Sequence, residues 1–427
     1  MHIPIPEDPG TSVTTLGNGV RVVVVQLPAL QTVHVSVFIR TGSSHESRRL
    51  NGISHFVEHM AFKGTHGRSC QQINLDAERL GAEVNAHTDK DHTAYHMRGM
   101  AGDATRFIAM LGDIVRNSTF PADELERERQ VILHEVMEDD EDSLSTADKL
   151  FDKTWFGDHP LAQPVIGSRL NIGRFSRDEL LAYVSRQYTG ANVVVGIAGP
   201  VDAAAMVEAT EAAFGSMPRG TGNEVAAPSY VGGVAAKVQA GTSQSHIVMG
   251  YPIPTAHDDG QHAGVVAAAL FGEGMSSPLL DEIRERRGLV YHADCTAEVT
   301  ELAGQFVIEA STGPEHVDEF FVEVNRLLAE QAGGVDAVAL ERARNQIAVR
   351  RLRDHERPAR RLEEAVLDVF AFGHVRSRAA ITARIRELSA ADVSGAFARM
   401  LAQPASVAVA GRLRKGATER IRELFIR

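Results

Sequence analysis

Apolar positions over the first hundred residues fall into short blocks, and each block predicts an element. "LGNGVRVVVVQ" (16–26) places an Asn-Gly turn signal ahead of a β-branched run, which predicts a turn feeding a strand. "TVHVSVFIRTGS" (32–43) alternates as a strand should. From 52 to about 62 the spacing turns helical, and "QQINLDAERLG" (71–81) predicts a second helix ending on a glycine. "AEVNAHTDKDHTAYHMRGM" (82–100) predicts a hairpin turning near Asp89-Lys90-Asp91. Helical spacing then dominates from 104 to about 148.

The chain is written twice. "LERERQVI" (125–132) returns as "LERARNQI" (340–347). "VVVGIAGPVD" (193–202) has a counterpart in "ASVAVAGRL" (405–413), and Gly199 answers to Gly411 at nearly the same offset. Each of these glycine-ending strands follows a helix-like stretch opened by Ser, "FSRDELLAYVSRQY" and "LSAADVSGAFARML". Repeats at nearly one offset imply two halves of like fold. The stretch "MPRGTGNEVAAPSYVGG" (217–233) is rich in Gly and Pro and reads as the linker between them. The predicted fold class is α+β: two homologous halves, 1–216 and 234–427, each a mostly antiparallel sheet packed with helices.

Composition narrows the function classes. With 427 residues, 44% hydrophobic and 23% charged, the chain reads as a soluble globular protein of two domains or more. No apolar run approaches the roughly 20 residues that span a bilayer, so no membrane partner is expected. The start, "MHIPIPEDPG", has neither the basic nor the apolar region of a signal peptide. Two cysteines, Cys70 and Cys295, cannot build a disulfide framework, and a cytoplasmic location is expected. A formal charge of −12 argues against a nucleic-acid binder, while an acidic surface suits a basic peptide.

The candidate chemistry sits in "GISHFVEHMAFKGT" (52–65), with His55, Glu58 and His59. Residues four apart share a helix face, so the two imidazoles can meet at one point. Zinc accepts neutral imidazoles and keeps one position open when three protein ligands hold it. Glu58 stands beside the pair, where a carboxylate can deprotonate a metal-bound water. H-x-x-E-H is the inverted form of a known zinc motif. The same letters also fit an amphipathic helix with satisfied histidines, so a third ligand is needed. "ELERERQVILHEVMEDDED" supplies Glu135 on an acidic helix, well downstream of His59.

With these residues the chain resembles the pitrilysin family of inverted zinc metallopeptidases, close to bacterial processing-peptidase homologues and the mitochondrial processing peptidase. The resemblance covers nearly the whole chain. It implies one Zn2+ per chain held by His55, His59 and Glu135, with Glu58 as general base. It also implies a supporting role for Glu128, seven residues before the third ligand. "FGEGMSSPLLDEIRERRGLVYHAD" (271–294) resembles the family's glycine-rich loop followed by an Arg…Tyr pair seven residues apart, here Arg284 and Tyr291. By the resemblance Tyr291 stabilises an oxyanion and Arg284 helps hold substrate. Asn85 and Ala86 match the family's substrate-binding edge strand, where an extended peptide adds as a further strand. The offset of the "LER" repeat puts Leu270, Gly274 and Arg350 where the first half has His55, His59 and Glu135, so the second half is expected to keep the fold without the metal.

Other histidines and acids are read more plainly. His87, His92 and His96 lie on or near the edge strand at odd spacings that do not themselves predict a second metal. The run "EDDED" (138–142) suits either a solvated helix end or a preference for basic residues beside the scissile bond. "WFGDHPLAQPVIGS" (155–168) resembles a further family segment, and His159 is read as structural. The implied function is a zinc endopeptidase acting on short or unfolded peptides in an enclosed chamber. The implied assembly is a clam-shell dimer of which one chain forms half, a homodimer since zinc and Arg/Tyr sets share one chain, though related pairs are heterodimers. The alternatives are a dedicated maturation protease for one peptide precursor and a non-catalytic core-type assembly subunit.

Overall fold

The Asn-Gly signal becomes a turn because Gly19 adopts φ +94°, a region open to glycine without steric cost. The chain reverses there, and the strand after it pairs with the one before it. A computed structural model describes residues 10–425; residues 1–9, where the leader expectation falls, lie outside the described residues. The first half contributes β1 (Thr11–Thr15), β2 (Arg21–Gln26), β3 (Thr32–Ile39), β4 (Glu83–Thr88), β5 (Thr93–Met100) and β6 (Val193–Gly199). The second contributes β7 (Gly233–Val238), β8 (Ser245–Ile253), β9 (Val290–Val299), β10 (Gly304–Thr312) and β11 (Ser406–Gly411).

The two sheets share one topology. The first runs β1-β2-β6-β3-β5-β4 and the second β7-β11-β8-β10-β9. Leaving out β1, the orders superpose strand for strand, down to one parallel pair in each, β2 with β6 and β7 with β11. Every other pairing is antiparallel. The internal repeat is thus a repeat of fold, and both sheets are mixed but mostly antiparallel, with helices layered on them.

Each half has its own core. Val35, Val37, Tyr95, Val195 and Ile197 face helices of the first half, with Phe56, Phe107 and Leu111 among the buried partners. A separate cluster around Phe271, Phe306, Phe320 and Phe397 fills the second. Each sheet's other face is covered by a helix from the opposite half. The helix Pro358–Phe372 lays Leu362, Ala365, Val366 and Val369 on Val23, Val25, Phe38 and Val194 of the first sheet. The helix Ser143–Phe156 lays Ala147, Phe151 and Trp155 on Val248, Val307 and Ala408 of the second. Burying a Val, Leu or Phe side chain stabilises by about 1.5–3 kcal/mol, so this exchange of helices locks the halves together. No helix or strand occupies residues 216–232, but the segment is tied down: Val231 N–H donates to Trp155 (3.0 Å) and Asn223 to Arg40 (2.7 Å).

Expected helical spacing from 104 to 148 resolves into three helices. Ala104–Asn117 ends ahead of Pro121, Ala122–Glu141 follows, and Ser143–Phe156 starts at an Asp142 N-cap whose side chain accepts from Ser145 N–H. Among the described residues no helix is long and apolar enough to cross a membrane.

Candidate metallopeptidase site

The motif helix, Ile53–Ala61, is amphipathic: Ile53, Phe56, Val57 and Met60 are buried, which leaves His55, Glu58 and His59 on its remaining face. Its N-terminus is fixed by a residue with no place in the sequence reading. The Glu46 carboxylate accepts Gly52 N–H and Ser54 N–H, both at 2.8 Å, and Asn51 Nδ2 at 3.2 Å. Those amides are orphan donors at a helix start, where the macrodipole also favours an anion. Burial pushes the Glu46 carboxyl up despite these bonds, which lower it. Glu46 lies seven residues before the helix, outside any local capping pattern, so no sequence signal marks it.

The ligand helix, Ala122–Glu141, lies against the motif helix and carries both candidate glutamates. Glu135 Oε2 lies 3.5 Å from His59 Nε2 and 3.9 Å from His55 Nε2. Ligand-capable atoms of all three fall within 4.8 Å of one another. Donors bound at about 2.0–2.1 Å to one ion stand no more than about 4.2 Å apart, so both Glu135 distances suit a shared ion. His59 Nδ1 faces Glu128 Oε2 at 3.1 Å. A carboxylate only accepts, so Nδ1 carries the proton and Nε2 presents its lone pair toward Glu135. Lys63 Nζ, 2.6 Å from Glu128 Oε1, holds the other oxygen. Burial, and then the neighbouring His59, lower the His55 imidazole to about 3, which keeps it neutral and able to ligate.

Glu58 accepts a 2.8 Å hydrogen bond from Thr88 Oγ1 on β4. Burial raises its carboxyl, against the lowering effect of Thr88 and His59. That direction suits a base which must take up and later release a proton. His55, Glu58, Ala86, Thr88, Asp148 and Asp152 line one open cleft of about 480 Å³. Three residues that build the site were therefore not singled out from sequence: Glu46, Lys63 and Thr88. Thr88 could have been suspected from its place at the end of the predicted edge strand, while Lys63 needed the fold.

Asn85 and Ala86 lie on β4, the outermost strand of the first sheet, and the Asn85 side chain accepts Ala86 N–H at 2.8 Å. Tyr291 lies on β9, the outermost strand of the second sheet. It is 64% exposed, and its side chain makes no hydrogen bond or ion pair among the described residues. Arg284 reaches Met275 Sδ (3.9 Å) and Glu285 (3.9 Å), so neither member of the pair touches the histidine cluster in this arrangement. At the repeat-related position in the second half, Arg350 pairs with Glu273, and an ion pair stands where the first half has its ligand set. His159 is structural: its Nδ1 accepts Leu161 N–H (3.2 Å) and its Nε2 donates to the Ala226 carbonyl (2.9 Å). In the acidic run, Asp139 and Asp140 pair with Lys149, and Asp142 caps the next helix. His87 and His92 do come together, their Nε2 atoms 3.2 Å apart.

One half with an imidazole–carboxylate cluster and a like half with an ion pair in its place are the form of a peptidase domain followed by an inactive repeat. Residues 21–169 match the family described as insulinase (peptidase family M16), and residues 174–347 match the peptidase M16 inactive domain. An uncharacterized zinc protease of Rickettsia bellii is 30% identical over 401 residues, 94% of this chain and 97% of that one. One of Mycobacterium tuberculosis is 30% identical over 425 residues, 95% of each. A solved protease from Helicobacter pylori superposes with a TM-score of 0.86 at 21% identity, covering 95% of this chain and all of that one. A chain of complex III2 from Candida albicans superposes with a TM-score of 0.84 at 18% identity, over 94% of this chain and 96% of that one. The chain belongs to the M16 family of zinc proteases.

Proposed function

We propose that the chain is a zinc-dependent endopeptidase of short or unfolded peptides, with His55, His59 and Glu135 as ligands of one ion. The observation that carries this reading is the approach of Glu135 Oε2 to the Nε2 atoms of both histidines, at 3.5 and 3.9 Å, with the half-buried Glu58 on the same helix. When bound, the zinc ion supplies a Lewis acid that polarises a carbonyl and acidifies a water. Glu58, steadied by Thr88, takes the proton of the attacking water and passes it to the leaving amine. Glu128 holds the His59 tautomer. An extended peptide adds to the open edge of β4 through backbone hydrogen bonds, displacing the Asn85 side chain from Ala86 N–H. Tyr291 donates to the developing oxyanion and Arg284 holds substrate once the two edge strands face one peptide.

Both residue sets in one chain support a homodimer that closes a chamber around the substrate. Two unpaired cysteines, Cys70 and the buried Cys295, support a reducing, cytoplasmic setting. The intact donor set speaks against a non-catalytic assembly subunit, for which the likeness to the Candida albicans complex shows fold alone.

The test compares zinc content and cleavage of an unstructured peptide between the wild type and Glu58→Gln. Wild-type zinc content retained with cleavage lost supports the reading. Cleavage that survives the substitution overturns it.

A further inference from the structure

We infer that His87, His92 and Glu363 form a second divalent transition-metal site, which ties the two halves together on the reverse side of the edge hairpin. Ligand-capable atoms of the three lie within 4.8 Å of one another. The Nε2 atoms of His87 and His92 stand 3.2 Å apart. Two imidazoles on one tetrahedral zinc at about 2.0–2.1 Å stand roughly 3.3 Å apart, so the rings already hold a ligand separation.

The chain builds this pair from the hairpin. His87 lies near the end of β4, and His92 follows the turn that Asp89 N–H closes onto the His92 carbonyl at 2.8 Å. His92 is 3% exposed, and its Nδ1 is held by Asp91 Oδ1 at 2.7 Å. That bond places the proton on Nδ1 and turns the Nε2 lone pair toward His87, the carboxylate–histidine arrangement found behind metal ligands. A hydrogen bond from His87 to His92 alone would account for the closeness of the two rings. It gives no reason for a carboxylate from the other half to come within 4.8 Å of both rings' ligand atoms.

That carboxylate is Glu363, on the helix Pro358–Phe372 whose apolar stripe covers the first sheet. It is paired with Arg360 through a single oxygen, Oε2, at 2.9 Å. Arg360 is exposed, with 63% of its side chain in contact with solvent, so it can swing away at small cost. His96, whose ring centroid is 5.8 Å from that of His87, completes the imidazole-rich surroundings. Two nitrogens and one oxygen suit zinc and its first-row neighbours and not magnesium or calcium, which require oxygen ligands. Thr88 on the same strand holds Glu58 from the other face of the sheet, so an ion here would stiffen the strand that supports the general base.

The test counts metal on the full-length chain, equilibrated with Zn2+ alone, freed of excess and assayed by elemental analysis. Two equivalents are expected for the wild type, one for Glu363→Gln, one for His87→Gln, and one for a His55→Gln/His59→Gln chain. Combining Glu363→Gln with the double histidine change should leave none. Circular dichroism verifies the fold, and Glu363→Gln, on the surface of a helix, guards against loss of His87→Gln to misfolding. A His55→Gln/His59→Gln chain that binds no zinc overturns the proposal, as does a full complement in both Glu363→Gln and His87→Gln. The inference is independent of the peptidase reading: metal lost only with Glu363 and His87 would sink that reading and leave this one standing.

Discussion

Glu128 Oε2 accepts a 3.1 Å hydrogen bond from His59 Nδ1, and the opposite ring nitrogen stands 3.5 Å from Glu135. One helix thus faces His59 from both sides, with Glu128 setting the tautomer and Glu135 opposite the other ring nitrogen. Replacing Glu128 by Gln leaves an amide whose donor end competes for the same nitrogen. Zinc affinity should fall about 10–100-fold, read by competition with a chelator, with peptidase activity restored at high zinc. Unchanged affinity would reduce Glu128 to a partner of Lys63.

Tyr291 presents a hydroxyl with no partner among the described residues and a largely exposed ring. If it serves the oxyanion only, Tyr291→Phe should lower kcat about 10²-fold. Zinc content and melting temperature should stay those of the wild type. A change in KM alone would assign the ring to substrate contact instead.

The entry to the motif helix depends on two glycines in contact. Gly52 and Gly167 both have positive φ, +96° and +83°, and a Cβ on Gly52 would lie 2.7 Å from Gly167 Cα. Gly52→Ala combines backbone strain with an overlap that only main-chain movement relieves. It should cost about 3 kcal/mol in denaturant unfolding and weaken zinc binding with it. Gly173, whose Cβ would meet nothing within 4 Å, is the control: Gly173→Ala should be tolerated.

His45 gives a pH dependence. Burial, then Arg40, lower its imidazole to about 4 from 6.5, against the raising effect of Asp91. The neutral ring accepts Gly42 N–H at 3.2 Å through Nδ1. A depressed histidine favours the folded state above its unfolded value and loses that preference on protonation. Stability should therefore be steady above pH 6.5 and fall as pH drops toward 4, by at most about 3 kcal/mol for this residue. In His45→Gln, urea unfolding followed between pH 7 and pH 4 should show a shallower loss.

What the sequence reveals and what it hides follow from range. The motif helix, the edge hairpin and the Ser-capped helices are read locally, since periodicity, Asn-Gly and Ser-x-x-Glu act within a few residues. The strand that carries Asn85 and Ala86 is legible for the same reason, whereas their substrate role came only with the family resemblance. The repeat is legible because both halves kept "LER" and a glycine-ending strand at one offset, and the sheets obey it strand for strand. Glu135 needed the family resemblance, because it stands far along the chain from His59 and no local rule spans the gap. Glu46 and Glu363 act across loops and between halves, where only folding brings carboxylate to donor. The exchanged helices were hidden as well: Leu362 and Val366 announce an apolar stripe, but not which sheet it covers.

Anomalous scattering across the zinc edge from zinc-saturated crystals decides whether His55, His59 and Glu135 share one zinc ion. A strong peak about 2.0–2.2 Å from both Nε2 atoms and from a Glu135 oxygen is expected. No peak between these side chains at full zinc saturation would contradict the shared ion.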